Sequence, residues 1–261
     1  MSQQDRFLVF GLGGIGAGLR ITVLYSAILK SISKKASPHL MFVSSSNAQG
    51  TDVWTYVLVA TKALLNSSPS LPELLEPFVT EEVTTIVMIQ NGVGIEASTP
   101  LPTHTLPARH HLTDRLRDLD RSYSKVELLD NIQQRRWEKV TWNCAWNSLT
   151  ALTNTNTLEW LTSSSDAEAL SRDVMKEVIT VAQGLGLNIS FDLIDTLMDR
   201  VSGKPLISSM QVDAANNRPM ETEVIIGTPL RKARELGIST PILRTLYALL
   251  ISKEKKYLGS P

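Results

Sequence analysis

The 261-residue chain has a single cysteine, Cys144. One cysteine excludes an internal disulfide and a multi-cysteine zinc site. No charge of either sign is in excess, because lysine plus arginine and aspartate plus glutamate both number 26. That balance excludes a general field drawing in nucleic acid or an anionic membrane surface. No apolar run approaches the ~18 residues of a membrane span. The opening "MSQQDRFLVFGLGGIG" does not read as a signal peptide, because its short apolar run leads into glycines. Internal repeats and low-complexity tracts are also missing. What is present, 43% hydrophobic and 20% charged residues, is ordinary for a globular protein. The expectation is a cytoplasmic protein of one large or two modest domains, with no nucleic-acid or membrane partner.

The first half reads as alternating strands and helices. An apolar run at residues 7–10 predicts a buried parallel strand. It ends in Gly11-Leu12-Gly13-Gly14-Ile15-Gly16, which is G-x-G-x-x-G, and a helical pattern follows. Strand, glycine turn and helix form the context of a dinucleotide site. Gly11 permits a tight turn, Gly13 lets backbone approach a pyrophosphate, and Gly16 lets the helix pack close. The helix N-terminus supplies amide donors to phosphate. A glycine turn without ligand is the bland alternative, and the flanking elements weigh against it. Residues 39–47 read as a second strand ending in Ser44, Ser45, Ser46 and Asn47. No acid stands there to repel a 2′-phosphate, which leans towards NADP(H); a plain serine-rich turn fits equally.

Residues 56–63 and 84–94 read as third and fourth strands, with a short helix at "LPELLEPFV" between them. Ligands of such sheets bind off the carboxyl ends of the strands. Lys62 and Asn91, at those ends, are candidates to face a cofactor. Their bland readings are a solvated lysine and an Asn-Gly turn. Residues 97–124 lose clear pattern. His104, His110 and His111 fall there among prolines, without the spacing of a metal site.

The second half reads as helical. In "RRWEKVTWNCAWNSLTAL", Lys139, Asn143 and Asn147 are spaced i, i+4, i+8. They project to one side of a helix whose other surfaces are apolar. Such a stripe is a wet face or the wall of a polar site, and the apolar remainder favours the wall. Cys144 within it reads as a buried structural thiol. Further helices are expected at residues 166–187, capped by Ser165 or Asp166, and at 190–203, 220–238 and 240–257. Two units follow, with the break near Ser124.

Together these stretches resemble the ketopantoate reductases (2-dehydropantoate 2-reductases). The matching residues are "FGLGGIG", "VLVATKA", "IQNGVGIE", "RRWEKVTWNCAWNSLTAL", "SSMQVDAANNRPMETEVIIG" and "PILRTLYALL"; "RPMETEVIIG" looks most like fungal relatives. The resemblance implies an α/β fold. A shortened Rossmann-like parallel sheet (residues 1–124) is followed by an all-α domain (residues 125–261) of the 6-phosphogluconate dehydrogenase C-terminal type. It implies NADPH-dependent reduction of a 2-keto acid or related ketone, as in pantothenate biosynthesis or secondary metabolism, with dimerisation through the helical domain. The cofactor would be NADP(H), held by the 11–16 segment, Lys62 and Asn91. Lys139 would be the general acid, and Glu221 would orient Lys139 and substrate. Asn91, Asn143, Asn147 and Ser209 would bind substrate. Hydride addition to a ketone creates an alkoxide, which needs a proton donor or fixed positive charge; lysine supplies both. The plainer readings are a surface charge for Glu221, a solvated Glu223 and a helix N-cap for Ser209.

The match departs from the family in four places. Relatives carry roughly 30 more residues before the strand ending in T-K-A, enough for another strand unit. A similar shortfall follows "NGVGIEAS". The arginine that reads the 2′-phosphate is replaced within the serine run, and an asparagine before S-S-M is Leu206. These departures leave two alternatives: a non-redox cyclase or isomerase on the same scaffold, or a catalytically impaired remnant.

Overall fold

A computed structural model describes residues 7–10, 40–43, 53–96 and 129–258. The glycine segment 11–16, the helix expected after it, the serine run 44–46 and the Pro/His segment lie outside the described residues. The described residues form two compact units. One holds the strands and runs to Lys62, with residues 66–90 and 129–130. The other holds Ala63–Leu65, Asn91–Glu96 and the chain from Asn131 onward.

The first unit is built on four parallel strands, β1 (Phe7–Phe10), β2 (Leu40–Val43), β3 (Tyr56–Val59) and β4 (Thr85–Met88), in the order β2-β1-β3-β4. All pairings are parallel; Phe7 sits beside both Leu40 and Tyr56. Every residue of β3 is buried, as expected of a central strand in a parallel sheet covered on both faces. Val57 and Val59 join Leu8, Ile86, Trp54, Leu75 and Phe78 in one cluster. Leu75 lies in α1 (Leu71–Leu75) and Phe78 in the 3₁₀ turn after it. Each buried aliphatic side chain here contributes about 1.5–3 kcal/mol. Helix α1 starts at Ser70, whose backbone and hydroxyl both donate to Glu73 Oε2 (2.7 and 2.8 Å), the reciprocal half of a capping box.

The second unit is organised by α2 (Gln133–Thr153), whose buried residues include Trp137, Val140, Cys144, Trp146 and Leu149. It ends at Asn154, which takes the left-handed conformation (φ 58°) that asparagine tolerates after a helix. Then come α3 (Thr157–Ser163), α4 (Ala167–Gly184), α5 (Asp192–Val201) and α6 (Ser209–Ala215). A π-helical turn (Glu223–Gly227), α7 (Thr228–Glu235) and α8 (Pro241–Leu258) complete the unit. Helices α4, α6 and α8 pack on α2.

Two local expectations change. Residues 220–238 do not form one regular helix but pass through the π turn before α7 begins. Asp166 stands at the N-cap position of α4 without a capping bond from its side chain. Helix α3, which sequence reasoning did not single out, carries a full capping box. Asn156 Oδ1 accepts from the backbone of Leu158 and Glu159 while Glu159 accepts from Asn156 N–H. The signal was the N-x-x-E spacing. Among the described residues no helix is long and apolar enough to cross a membrane, and no His/Cys/Asp/Glu group is arranged to hold a metal.

Candidate functional site

Glu221 is the centre of the site in the second unit. It lies at the entry to the π turn and is 8% exposed, so its reading as a surface charge is set aside. A buried carboxylate is retained only where its lone pairs find donors. Both oxygens do. Ala63 N–H donates to Oε1 at 3.0 Å, and Asn91 Nδ2 donates to Oε2 at 3.0 Å. One side chain therefore ties Ala63 and Asn91 to the entry of the π turn within the second unit. The bond also fixes the Asn91 amide, because a carboxylate only accepts; Nδ2 must face it and Oδ1 must point elsewhere.

Lys139 and Asn143 come from α2. Among the described residues Lys139 has no hydrogen bond or ion pair of its own. The residue is exposed, yet the protein around the ammonium desolvates it enough to lower its pKa from the ordinary value of 10.5. The nearby Glu221 carboxylate raises it, a smaller effect than burial, and Arg136 lowers it. The group is thus a more acidic ammonium than a surface lysine, with the tuning carboxylate anchored elsewhere.

Asn143 and Asn147 are 7% and 4% exposed. Their buried neighbours on α2 satisfy themselves. Thr141 donates back to Trp137 O (2.9 Å), Thr150 to Trp146 O (2.5 Å) and Ser148 to Cys144 O, the usual use of a hydroxyl inside a helix. The Asn143 amide makes no such bond, and its Nδ2 is buried with no partner among the described residues. A buried orphan donor in a native fold asks for a ligand or an ordered water. Cys144, next to Asn143 in the chain, is fully buried and donates to Ile225 O at 2.9 Å. Burial pushes its thiol pKa up, as expected for a structural thiol.

Two side chains differ from their plainer readings. The N-cap of α6 is Ser208, which accepts from Gln211 N (3.0 Å) and pairs with Thr150 Oγ1 (2.7 Å); Ser209 is the first helical residue and has no capping role. Glu223 is not solvated: Arg231 and the Tyr247 hydroxyl both donate to it at 2.6 Å. Burial first, then the bond to Glu223, pushes Tyr247 up to about 12. Leu206 bridges to Thr157, its N–H donating to Thr157 Oγ1 (3.0 Å) and its carbonyl accepting from Thr157 N–H (3.0 Å).

The first unit supplies a second set of groups. Its strand order reverses between β1 and β3, whose carboxyl ends are Phe10 and Val59. Open parallel sheets bind dinucleotides at this reversal. The glycine segment continues directly from Phe10, and Ala60, Thr61 and Lys62 from Val59. Gln90 Nε2 donates to Thr61 O and Thr61 Oγ1, both at 3.1 Å, tying the ends of β3 and β4 together. The residues present therefore suit a dinucleotide.

Comparison with known proteins agrees with this arrangement. The family model "Ketopantoate reductase PanE/ApbA C terminal" matches residues 131–254. A 2-dehydropantoate 2-reductase of Nostoc sp. is 31% identical, covering 94% of this chain and 93% of that protein. An uncharacterised protein of Saccharomyces cerevisiae is 24% identical over 97% of this chain and 94% of its own length. The Nostoc alignment spans 302 positions, more than the 261 residues here, so that relative carries segments this chain lacks. Among solved structures, a dimeric ketopantoate reductase from Staphylococcus aureus superposes with a TM-score of 0.76 at 22% identity, covering 97% of this chain and 99% of that one. D-mandelate dehydrogenase with NADH and anilino(oxo)acetate superposes at 0.75 with 18% identity, covering 97% and 100%.

Proposed function

Since this chain belongs to the ketopantoate reductase family, we propose that it reduces a 2-keto acid of the ketopantoate type to the 2-hydroxy acid, using NADPH. The observation that carries the reading is the Lys139–Glu221–Asn91 arrangement beside the orphan amide of Asn143. The division of labour proposed is a dinucleotide-binding domain at residues 1–124 and a substrate and dimerisation domain at residues 125–261. The protein would act in the cytoplasm as a homodimer.

NADP(H), when bound, supplies the hydride. Residues 11–16 and Lys62 would hold it, with Asn91 towards its nicotinamide end. The serine run 44–46, with no acid, admits a 2′-phosphate. On the substrate side Asn143 Nδ2 donates to a carboxylate or carbonyl oxygen, which satisfies the orphan. Asn147 and Ser209 supply further polar contacts. Lys139 gives a proton to the oxygen that becomes an alkoxide. Its lowered pKa brings the transfer closer to the working range, where an acid is most effective. Glu221 keeps enough of the lysine charged and holds Asn91 in one orientation.

The test is turnover of purified protein with ketopantoate, followed at the nicotinamide absorbance, with NADPH and NADH compared. Oxidation of NADPH only when the keto acid is present, with NADH poorer, is the expected result. Binding of NADPH without turnover of any 2-keto acid overturns the assignment.

A further inference from the structure

Residues 221–230 contain a device that the proposed chemistry has not yet used. Thr228 N–H donates to Glu223 O, five residues back, the π register. The next donor in that register would be residue 229, offering its N–H to Val224 O. Residue 229 is proline and has no N–H. In the ordinary α register the same missing hydrogen would have gone to Ile225 O. Two adjacent carbonyls inside a helix are therefore left without a donor at residue 229, and two other segments take them. Val93 N–H donates to Val224 O at 3.1 Å, and Cys144 Sγ–H donates to Ile225 O at 2.9 Å.

The donors are not randomly placed. Val93 lies two residues after Asn91, Cys144 lies one after Asn143, and Glu221 lies three before Val224. We propose that the π turn imposed by Pro229 is the positioning element of this site, setting Glu221, Asn91 and the Lys139/Asn143 helix in mutual register through Val224 O and Ile225 O. Steric fit supports it independently. A Cβ on Gly92 would meet Val224 Cβ at 2.5 Å and Val224 O at 2.6 Å, and one on Gly94 would meet Thr228 Cγ2 at 2.8 Å. The Asn91 loop lies against the π turn with no space for a side chain. Glu223, the first residue of the turn, is held by Arg231 and Tyr247. Pro229 touches none of the reacting groups; it is a positioning residue.

The inference rests on the reductase reading for its kinetic consequence, and its test separates the two. In Pro229→Ala an N–H returns at residue 229 and competes with Val93 and Cys144 for their carbonyls. Amide hydrogen exchange in the full chain reads the latch without substrate. Val93 is expected to exchange at least tenfold faster while the thermal midpoint does not fall in proportion. In steady-state assays with ketopantoate and NADPH, kcat is expected to fall at least tenfold with the KM for NADPH unchanged. Cys144→Ser keeps a donor for Ile225 O and should retain kcat within about threefold, whereas Cys144→Ala should not. Unchanged Val93 exchange in Pro229→Ala, or a kcat loss matched by the unfolded fraction, overturns the proposal. Should the wild type reduce no keto acid, the reductase reading fails and the exchange result alone decides this one.

Discussion

Replacing Glu221 separates its charge from its hydrogen bonds. In Glu221→Ala, Ala63 N–H loses its acceptor inside a buried environment, and Asn91 Nδ2 loses its acceptor in a half-buried one. A buried donor left unpaired costs about 1–3 kcal/mol. Asn91 can turn partly to water, so the pair should cost about 2–4 kcal/mol. Glu221→Gln keeps shape and one acceptor. Its oxygen can serve Ala63, and its amino group then faces Asn91, which must turn its amide over to offer Oδ1. Two charge-assisted bonds become neutral ones, a loss of about 1–2 kcal/mol in urea unfolding.

The electrostatic consequence is directional. Glu221 is the influence that raises the Lys139 pKa against burial and Arg136, which lower it. Without the carboxylate only the lowering effects remain. The alkaline limb of kcat/KM, which reports the free enzyme's acid, should therefore move to lower pH in Glu221→Gln. Reductive methylation of Lys139 followed by NMR titration reads the same shift without turnover. A limb that stays put or moves upward would refute the coupling. So would a Glu221→Ala variant as stable as the wild type, because the two bonds would then be worth nothing.

Lys139→Ala should retain the fold and lower turnover by roughly 10²–10⁴, the usual size of a general acid's contribution; full activity would remove it from the mechanism. The folded-state pKa of Lys139 lies below its unfolded value. Its ammonium thus disfavours the fold below the folded pKa, and the penalty disappears as pH climbs from there towards 10.5. Lys139→Met should accordingly be more stable than wild type at neutral pH, by a margin that shrinks in alkali. Asn143→Leu removes a buried orphan amide, so thermal stability should hold or rise by about 1 kcal/mol while the KM for keto acid rises more than tenfold. Ser208→Ala should cost about 1 kcal/mol through the lost cap, whereas Ser209→Ala should spare stability and raise the KM for substrate; reversal of that pair would return the capping role to Ser209.

What could be read from the chain alone depended on the range of each interaction. The strands were legible because a covered parallel strand is apolar at every position, as "YVLV" is. The stripe of Lys139, Asn143 and Asn147 was legible because i, i+4 spacing is local. The Glu221–Asn91 tie joins residues 130 apart in sequence and leaves no local pattern. Glu223 looked solvated because "METE" is a polar run; only Arg231 and Tyr247, eight and 24 residues away, take it out of water. The π register was invisible for a different reason. Residues 220–238 read as one helix, and whether a proline ends a helix or widens it is decided by donors waiting in other segments, here Val93 and Cys144.

The shortened sheet bears on where this family can lose residues and keep its chemistry. The usual doubly wound order is 3-2-1-4-5-6, and the order β2-β1-β3-β4 matches its 2-1-4-5 portion. The unit missing between the second strand and T-K-A is therefore the one outside β2, at the edge. Losing an edge strand exposes one row of backbone groups; losing an interior strand would break two ladders and part the reversal between β1 and β3. The deletion also leaves Ala63 and Asn91 at the exits of β3 and β4, where both still reach Glu221. Nucleotide affinity is then the property most exposed to the change, since β2 carries the serine run at its end. Calorimetry with NADPH, NADH and 2′-phospho-AMP tests this. Binding of 2′-phospho-AMP more than tenfold tighter than AMP means that the serine run still reads the 2′-phosphate, and equal binding of the two refutes the NADPH preference while leaving the helical site untouched.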